Sequence, residues 1–418
     1  MKILYLCSDL GIPVLGRKGA AVHVRVLSEA LRRAGHSVVL AAPSLNKDPW
    51  EIPQQVNAAL MHLPPSPDVV QAVLGLTEFN ESIEVENSLP GELRRILYNQ
   101  QLAAQLERRF RNHAPDFILE RASLYATAGV HVARALDIPL IVELNAPLAL
   151  EQSAYRATGL GKLAAQAECW ALTRADAVFA VSDPLRDYVL SLGVAPERVQ
   201  VLPNGVDTAL FYPAPRNPEL RARLNLSDGP VLGFIGGLRP WHGVQSLPLL
   251  VERLAPRYPN LRLVIAGEGP MRAELDDAFR TRGIQEHVIF TGSLPHEEMS
   301  ELIRQFDVAL APYPVLDHVF YFSPLKLFEY MACGVPVVAA AVGQIADVVC
   351  DGDTGLLYPP GDLDALTAVC ARLLADPALR QRLGEAAAAA VHAHYTWTGN
   401  ATRIVERART LIAHRAIG

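Results

Sequence analysis

Short apolar runs alternate with longer stretches of helical spacing along most of the chain. Residues 3–7, 38–42, 117–120, 140–144, 177–181 and 199–202 are continuous runs rich in Ile, Val, Leu and Phe, the pattern of strands buried on both faces. Between them, 20–34 carries apolar residues at three- and four-residue intervals and stops at Gly35, and 92–111 and 152–173 do the same over longer spans. These spacings predict helices. The stretch 203–227 is rich in Pro, Asn and Asp and has no strand pattern. After it the alternation restarts, with strands predicted at 231–235, 261–266, 288–291, 308–311, 335–340 and 355–358, and helices at 364–374, 377–394 and 400–413. Strands separated by helices mean a parallel sheet covered on both faces. The chain therefore reads as α/β with two doubly wound, Rossmann-like domains, 1–205 and 206–397, and a last helix, about 398–418, that packs back on the first. Ligands of open α/β sheets bind beyond the carboxyl ends of the strands. Two such domains facing each other would place a site in the cleft between them, so the loops after the strands hold the candidates.

The segment YFSPLKLFEYMACG, 321–334, is the most informative of these. It reads as a turn, a helix and the start of a buried strand. Pro324 suits the first helical position, where a missing N–H costs nothing, and Ser323 before it suits the N-cap. The free N–H groups of such a helix, with Lys326 in its first turn, form an anion site. Glu329 lies about one turn further on. A diphosphate at the helix start and a carboxylate able to accept from two ribose hydroxyls make a nucleotide cradle.

Other loops add candidates. Gly11–Gly19 follows the first strand, and Gly16 and Gly19, flanking Arg17 and Lys18, let a ligand approach the backbone. Its spacing is not G-x-G-x-x-G, which counts against a dinucleotide enzyme. The loop GGLRPWHG, 236–243, offers Arg239 for bidentate contact with a diphosphate, His242 for a hydrogen bond, and Trp241 for stacking or plain packing. Glu268 in the turn GEGP either meets ligand or stays solvated. The loop 291–294 can wall a base pocket. Asn204-Gly205 is a turn signal at the domain boundary and reads as structural. In the first domain Glu120, Arg121, Glu143 and Asn145 sit at strand carboxyl ends, where they either bind an acceptor or sugar or bond neighbouring loops.

Composition narrows the setting. The chain has 418 residues, half of them hydrophobic, and a net charge of −6, which argues against nucleic acid as a partner. Five cysteines with no C-x-x-C pair favour a reduced, cytoplasmic setting. The opening MKILYLCSDLG is too short for a signal peptide and reads as a strand. No apolar run reaches about 18 residues. The arginines of 92–111 make that helix either a basic face able to lie on anionic lipid or an ordinary solvated one. No H-E-x-x-H or G-x-S-x-G pattern supports a metal site or a serine hydrolase.

Taken together, the glycine loop after the first strand, VLPNGVDTALFYP, FIGGLRPWHG, VIAGEGP, SPLKLFEYMACGVPVVAA and DGDTGLLYPPGD resemble glycosyltransferase family 4, over nearly the whole chain and in the right order. The resemblance implies the GT-B fold and retaining transfer from a nucleoside diphosphate sugar to an acceptor. It implies no cofactor or metal, and a UDP or GDP donor. Arg239 and Lys326 then match the catalytic diphosphate pair and Glu329 the ribose-binding glutamate. Pro324, Leu325, His242, Gly16 and Gly19 fall on the donor side, and the backbone around Phe290 would hold the base. Glu120, Arg121, Asn145 and Tyr321 would face the acceptor or the sugar.

The chain also departs from the family pattern. Tyr321 stands where a glutamate eight positions before Glu329 is common, His242 where a lysine is usual, and Asn145 where a histidine is common. The PLKLFEYMA helix, with its internal lysine, looks like a subgroup in which Lys326 compensates for the lysine missing at 242. The competing readings are a non-catalytic sugar-nucleotide-binding subunit and, on the same fold, an epimerase or a phosphorylase.

Overall fold

The computed structural model describes residues 1–46, 55–155, 159–226 and 229–417. The chain divides into two compact units, one of residues 1–203 with 397–418, the other of 204–396. The first unit runs β1 (Lys2–Cys7), α1 (Gly19–Arg33), β2 (Ser37–Ala42), β3 (Ala59–His62), α2 (Pro67–Ser82), α3 (Leu89–Phe110), β4 (Phe117–Arg121), α4 (Ala128–Leu136), β5 (Leu140–Leu144), α5 (Leu148–Tyr155), α6 (Gly161–Arg174), β6 (Ala177–Ala180), α7 (Asp183–Ser191) and β7 (Val199–Val201). Its sheet has the order β3-β2-β1-β4-β5-β6-β7, and all its pairings are parallel. The second unit runs α8 (Pro218–Arg223), β8 (Val231–Ile235), α9 (Ser246–Leu254), β9 (Arg262–Ala266), α10 (Arg272–Thr281), β10 (Val288–Gly292), α11 (His296–Ile303), β11 (Val308–Ala311), α12 (Leu325–Ala332), β12 (Val337–Ala340), α13 (Gly343–Val348), β13 (Leu356–Tyr358), α14 (Leu363–Ala375) and α15 (Pro377–His394). Its sheet, β10-β9-β8-β11-β12-β13, is also parallel throughout. The helix α16 (Trp397–Ile417) belongs to the first unit. It packs along α1, and Arg415 pairs with Asp137 and Asp176.

The central strands are apolar on both sides because helices cover both faces. Leu4, Leu6, Ile118, Leu119 and Ile141 are wholly or almost wholly buried in the first unit, as are Leu232, Phe234, Val264, Leu310 and Val338 in the second. Such two-sided burial removes the polar alternation of a half-exposed sheet. That is why the central strands are plain in the sequence, while the edge strand β3, with Ala59, Leu60 and His62 exposed, has no such run. The helix predicted at 152–173 is two helices, α5 and α6; residues 156–158 lie outside the described residues. The irregular stretch 203–227 contains the short helix α8, and its last residue is likewise outside them. Among the described residues no helix is long and apolar enough to cross a membrane.

Candidate active site

In the second unit the strand order reverses between β8 and β11, so the crevice at their carboxyl ends is the switch point of the sheet. The loop 236–243 enters it from β8, and α12 enters from β11. Gly236 has φ +135° and Gly267 φ +144°, and a Cβ at Gly267 would sit 2.1 Å from the Gly236 carbonyl oxygen. Only glycine permits this approach, which closes the loops after β8 and β9 onto each other.

The helix α12 starts differently from the prediction. Pro324 has φ −73° and ψ 115°, so it is the N-cap and not the first helical residue. Ser323 does not cap. Its hydroxyl accepts the Asn204 N–H at 2.9 Å, and its carbonyl accepts Asn204 Nδ2 at 2.6 Å. Asn204 thus holds the turn before the helix. With no side-chain cap and no acidic residue in the first turn, the leading amides of α12 are open to an anion. The middle of the helix is tied to β8, because the buried Tyr330 hydroxyl accepts the Ile235 N–H at 2.6 Å.

Lys326 is the most unusual group here. It is buried, and among the described residues its Nζ has no hydrogen-bond partner. Nζ lies 4.1 Å from the Phe234 ring centre and 5.3 Å from that of Tyr313. A Cβ on Gly236 would be 2.9 Å from it. Burial lowers its pKa to about 7, against the opposing pull of Glu329. Cation–π contact compensates only partly for lost hydration, so the ammonium is poised for an anion. His242 Nδ1 lies 2.6 Å from the Gly237 carbonyl oxygen. A carbonyl only accepts, so Nδ1 carries the proton. Burial first, then the nearby Lys326 and Arg239 charges, lower the His242 pKa to about 3. The ring is neutral and does not replace a lysine's charge. Arg239 is exposed, with its guanidinium 5.1 Å from the Trp241 ring centre.

One turn beyond Lys326, Glu329 is buried and its Oε1 lies 2.9 Å from His296 Nε2. His296 heads α11, and its ring sits 5.1 Å from that of the fully buried Phe211. Phe290 is half-buried on β10, with the Arg272 guanidinium 3.8 Å over its ring. Glu268 is exposed. His296 and Arg272 were both missed from sequence. Each stands just past a loop already suspected, so extending those loops by one helical turn would have found them. Tyr321 is buried in an aromatic group, its ring stacked on His318 at 5.2 Å and tilted by 45° against Phe322 at 4.5 Å.

The candidates of the first unit do not converge. Neighbouring residues on a strand point to opposite faces, and Glu120 and Arg121 do so. Glu120 is buried against the start of α4, where the Gly129 amide and Ser8 only partly offset burial, and its pKa rises to about 8. Glu143, which pairs in register with Arg121, is buried on the other face. It holds His23 Nε2 at 2.6 Å, accepts from the Tyr5 hydroxyl at 3.3 Å, and has Arg121 Nη1 at 3.9 Å. His23 in turn meets the Trp397 ring edge-on at 4.7 Å. Glu120 and Glu143 are thus buried on opposite faces of the sheet. Asn145 is half-buried, and among the described residues its Nδ2 has no hydrogen-bond partner. Gly16 is buried at a turn whose carbonyls, Val14 and Gly16, accept from the buried Arg25 at 2.9 and 2.5 Å, and Gly19 opens α1 without a side-chain cap.

Two parallel α/β sheets, with a helix start that has no side-chain cap at the switch point of the second, are the architecture of the GT-B fold. Comparison with known proteins agrees. Residues 17–210 match the model of Glycosyltransferase Family 4, and residues 216–390 that of Glycosyl transferases group 1. The chain is 30% identical over 277 residues to the alpha-D-kanosaminyltransferase of Streptomyces kanamyceticus, covering 63% of this chain and 69% of the relative. It is 27% identical over 408 residues to the glycogen synthase of Mycobacterium tuberculosis, covering 96% and 93%. The sucrose-phosphate synthase of Thermosynechococcus elongatus superposes with a TM-score of 0.71 at 22% identity, over 99% of this chain and 100% of that one. The protein belongs to glycosyltransferase family 4: it is a glycosyltransferase that uses a nucleotide sugar.

Proposed function

We propose that the second unit binds a UDP- or GDP-hexose and that transfer retains the anomeric configuration without a bound metal. The observation that carries this reading is the buried Lys326 ammonium, without a hydrogen-bond partner among the described residues, at the start of an uncapped helix. The diphosphate would lie across the first turn of α12, against the Leu325 and Lys326 amides, with Pro324 shaping the entry and Arg239 reaching it from the loop after β8. His242 stays neutral and offers Nε2 as an acceptor to the sugar. Glu329 takes the ribose hydroxyls. The base lies along β10 near Phe290, whose ring Arg272 already covers. Gly19, exposed at the start of α1, remains a backbone position to test for contact with the sugar or phosphates, while Gly16 is buried in the preceding turn.

Chemically, the bond from the anomeric carbon to the diphosphate oxygen breaks as the acceptor oxygen attacks from the same face. The departing phosphate oxygen takes the acceptor's proton. Negative charge builds on the diphosphate, and Lys326, Arg239 and the α12 amides stabilise it. A thermal-shift and calorimetric screen of UDP, GDP and their hexose conjugates tests donor binding. Wild type should bind at least one of them, and Lys326→Met should weaken binding. Proton NMR of the product from an α-linked donor should show an α linkage, and EDTA should leave the rate unchanged. Arg121, Asn145 and Tyr321 remain the residues to vary when the acceptor is sought. A peripheral contact with anionic lipid would use Arg94, Arg108, Arg109 and Arg111, exposed on and just beyond α3. Co-sedimentation with phosphatidylglycerol vesicles, reduced when these are changed to serine, tests it.

A further inference from the structure

We infer that His296 is a positioning residue: it holds the Glu329 carboxylate turned so that two ribose hydroxyls can reach it together. This deepens the reading of Glu329 as the ribose contact and rests on it. Among the described residues His296 is the only hydrogen-bond partner of that carboxylate, at 2.9 Å. A carboxylate only accepts, so Nε2 carries the hydrogen of this bond. Both side chains are well buried, at 14% and 10% exposure.

The ring has little freedom. His296 is the first residue of α11 and follows Pro295, its N-cap. Its other side meets the fully buried Phe211, ring centres 5.1 Å apart at 49°. Phe211 comes from the segment VDTALFYP, which no other part of the site explains. A glutamate's terminal torsion is broad when nothing fixes it, and ordering it on binding costs affinity. The His296 bond fixes it beforehand. It uses one of about four lone-pair positions on the carboxylate, leaving Oε2 and one lobe of Oε1 for the two hydroxyls. It also gives Glu329 a partner other than Lys326, three residues earlier on the same helix, so the ammonium stays available to phosphate.

The test is discrimination between ribose and deoxyribose. Wild type is titrated with whichever of UDP and GDP it binds more tightly, and with the 2′-deoxy counterpart. The loss of one hydrogen bond to a charged acceptor predicts a preference for ribose of about tenfold or more. His296→Leu should reduce the preference to about threefold or less, mainly by weakening the ribose probe. His296→Gln, whose amide can replace the Nε2–H, should restore most of it. A support role limited to folding would weaken both probes alike and leave the ratio unchanged, and that result overturns the inference. Equal loss of the preference in the Leu and Gln variants also overturns it, because packing rather than the hydrogen bond would then be responsible. Glu329→Ala separates the two levels. If it too leaves the ratio unchanged, or if wild type shows no preference, the ribose role of Glu329 fails. If Glu329→Ala abolishes the ratio and His296→Leu does not, only the positioning role fails. Should the Leu variant melt early, His296→Gln against His296→Asn reads the same contrast, since asparagine is too short to reach.

Discussion

The two units carry their charged residues at the same place, the carboxyl ends of parallel strands, and treat them in opposite ways. In the first unit one carboxylate, Glu143, is matched by several partners. Glu143 is surrounded by His23, Tyr5 and Arg121, which together hold its pKa below the usual carboxylate value despite burial. Glu120 on the other face of the sheet is pushed up to about 8 by burial and is largely protonated at neutral pH. In the second unit Lys326 has no hydrogen-bond partner among the described residues, Arg239 is exposed, and Glu329 has a single one. A buried carboxylate held by several partners stiffens a scaffold. An unsaturated cation is unstable on its own and becomes stable with a ligand. The contrast separates frame from binding site among residues that look alike in sequence.

The strongest way to break this contrast is to remove the hub of the first network. Glu143→Ala leaves His23, Tyr5 and Arg121 facing a void, and breaking a buried pair costs about 3–5 kcal/mol. Calorimetry should show that loss in melting stability, while affinity of the folded protein for UDP or GDP stays within about twofold. A large loss of nucleotide affinity without destabilisation would make Glu143 part of a binding site. The complementary change is Lys326→Met. Removing one preorganised charge from a leaving-group site costs about a hundredfold in rate, so kcat/KM should fall by about that much. Stability should hold or rise, because a buried cation without a hydrogen-bond partner is replaced by an apolar chain of similar length. Unchanged kinetics would remove Lys326 from the diphosphate site.

This contrast also marks what could be read from the sequence. The central strands were legible because burial on both faces writes an unbroken apolar run. The edge strand β3 was not, since a half-exposed edge has no such run. The anion-ready helix was legible through Pro324, Lys326 and Glu329, whose spacing along the chain is local. Its lack of a side-chain cap was not, because Asn204 lies far away in sequence and holds Ser323 in the turn. His296 and Arg272 escaped for the same reason: their roles depend on Glu329 and Phe290, which only the fold brings near. Glu120 and Arg121 are adjacent in sequence, and for that reason their side chains leave β4 on opposite faces.

A smaller effect follows from pH. Burial lowers the Lys326 pKa to about 7, so its charge is present below that pH and lost above it. A diphosphate binds the charged form and raises the pKa again. Affinity for UDP or GDP should be full below about pH 7 and fall by up to about tenfold per unit above it. Lys326→Arg should flatten that dependence, since a guanidinium does not titrate there. Stability should move the other way. The unfolded lysine keeps its proton to about pH 10.4, so the unfolded state holds more protons above about 7, and this group's contribution to stability rises with pH across that window. Opposite slopes for binding and stability are the signature of an unpaired cation kept for a ligand; parallel slopes would place Lys326 with the matched carboxylate of the first unit.

The smallest effect expected is at Asn204. Changing it to alanine removes the 2.6 Å bond from Nδ2 to the Ser323 carbonyl and keeps the 2.9 Å bond from its backbone N–H to the Ser323 hydroxyl. The loss of one such bond is about 1 kcal/mol, and denaturant melts should show a change of that size. The α12 start keeps its second tether, and its middle stays fixed to β8 through Tyr330, so donor KM should rise by about twofold to threefold. Ser323→Ala removes the other bond and should have a similar effect. The two together should exceed their sum, because the turn then loses both contacts and the leading amides of α12 are free to drift. If Asn204→Ala alone raised donor KM by tenfold or more, with unchanged stability, Asn204 would itself be touching the donor. The division between matched frame and unmatched site would then have to be drawn through the turn before α12.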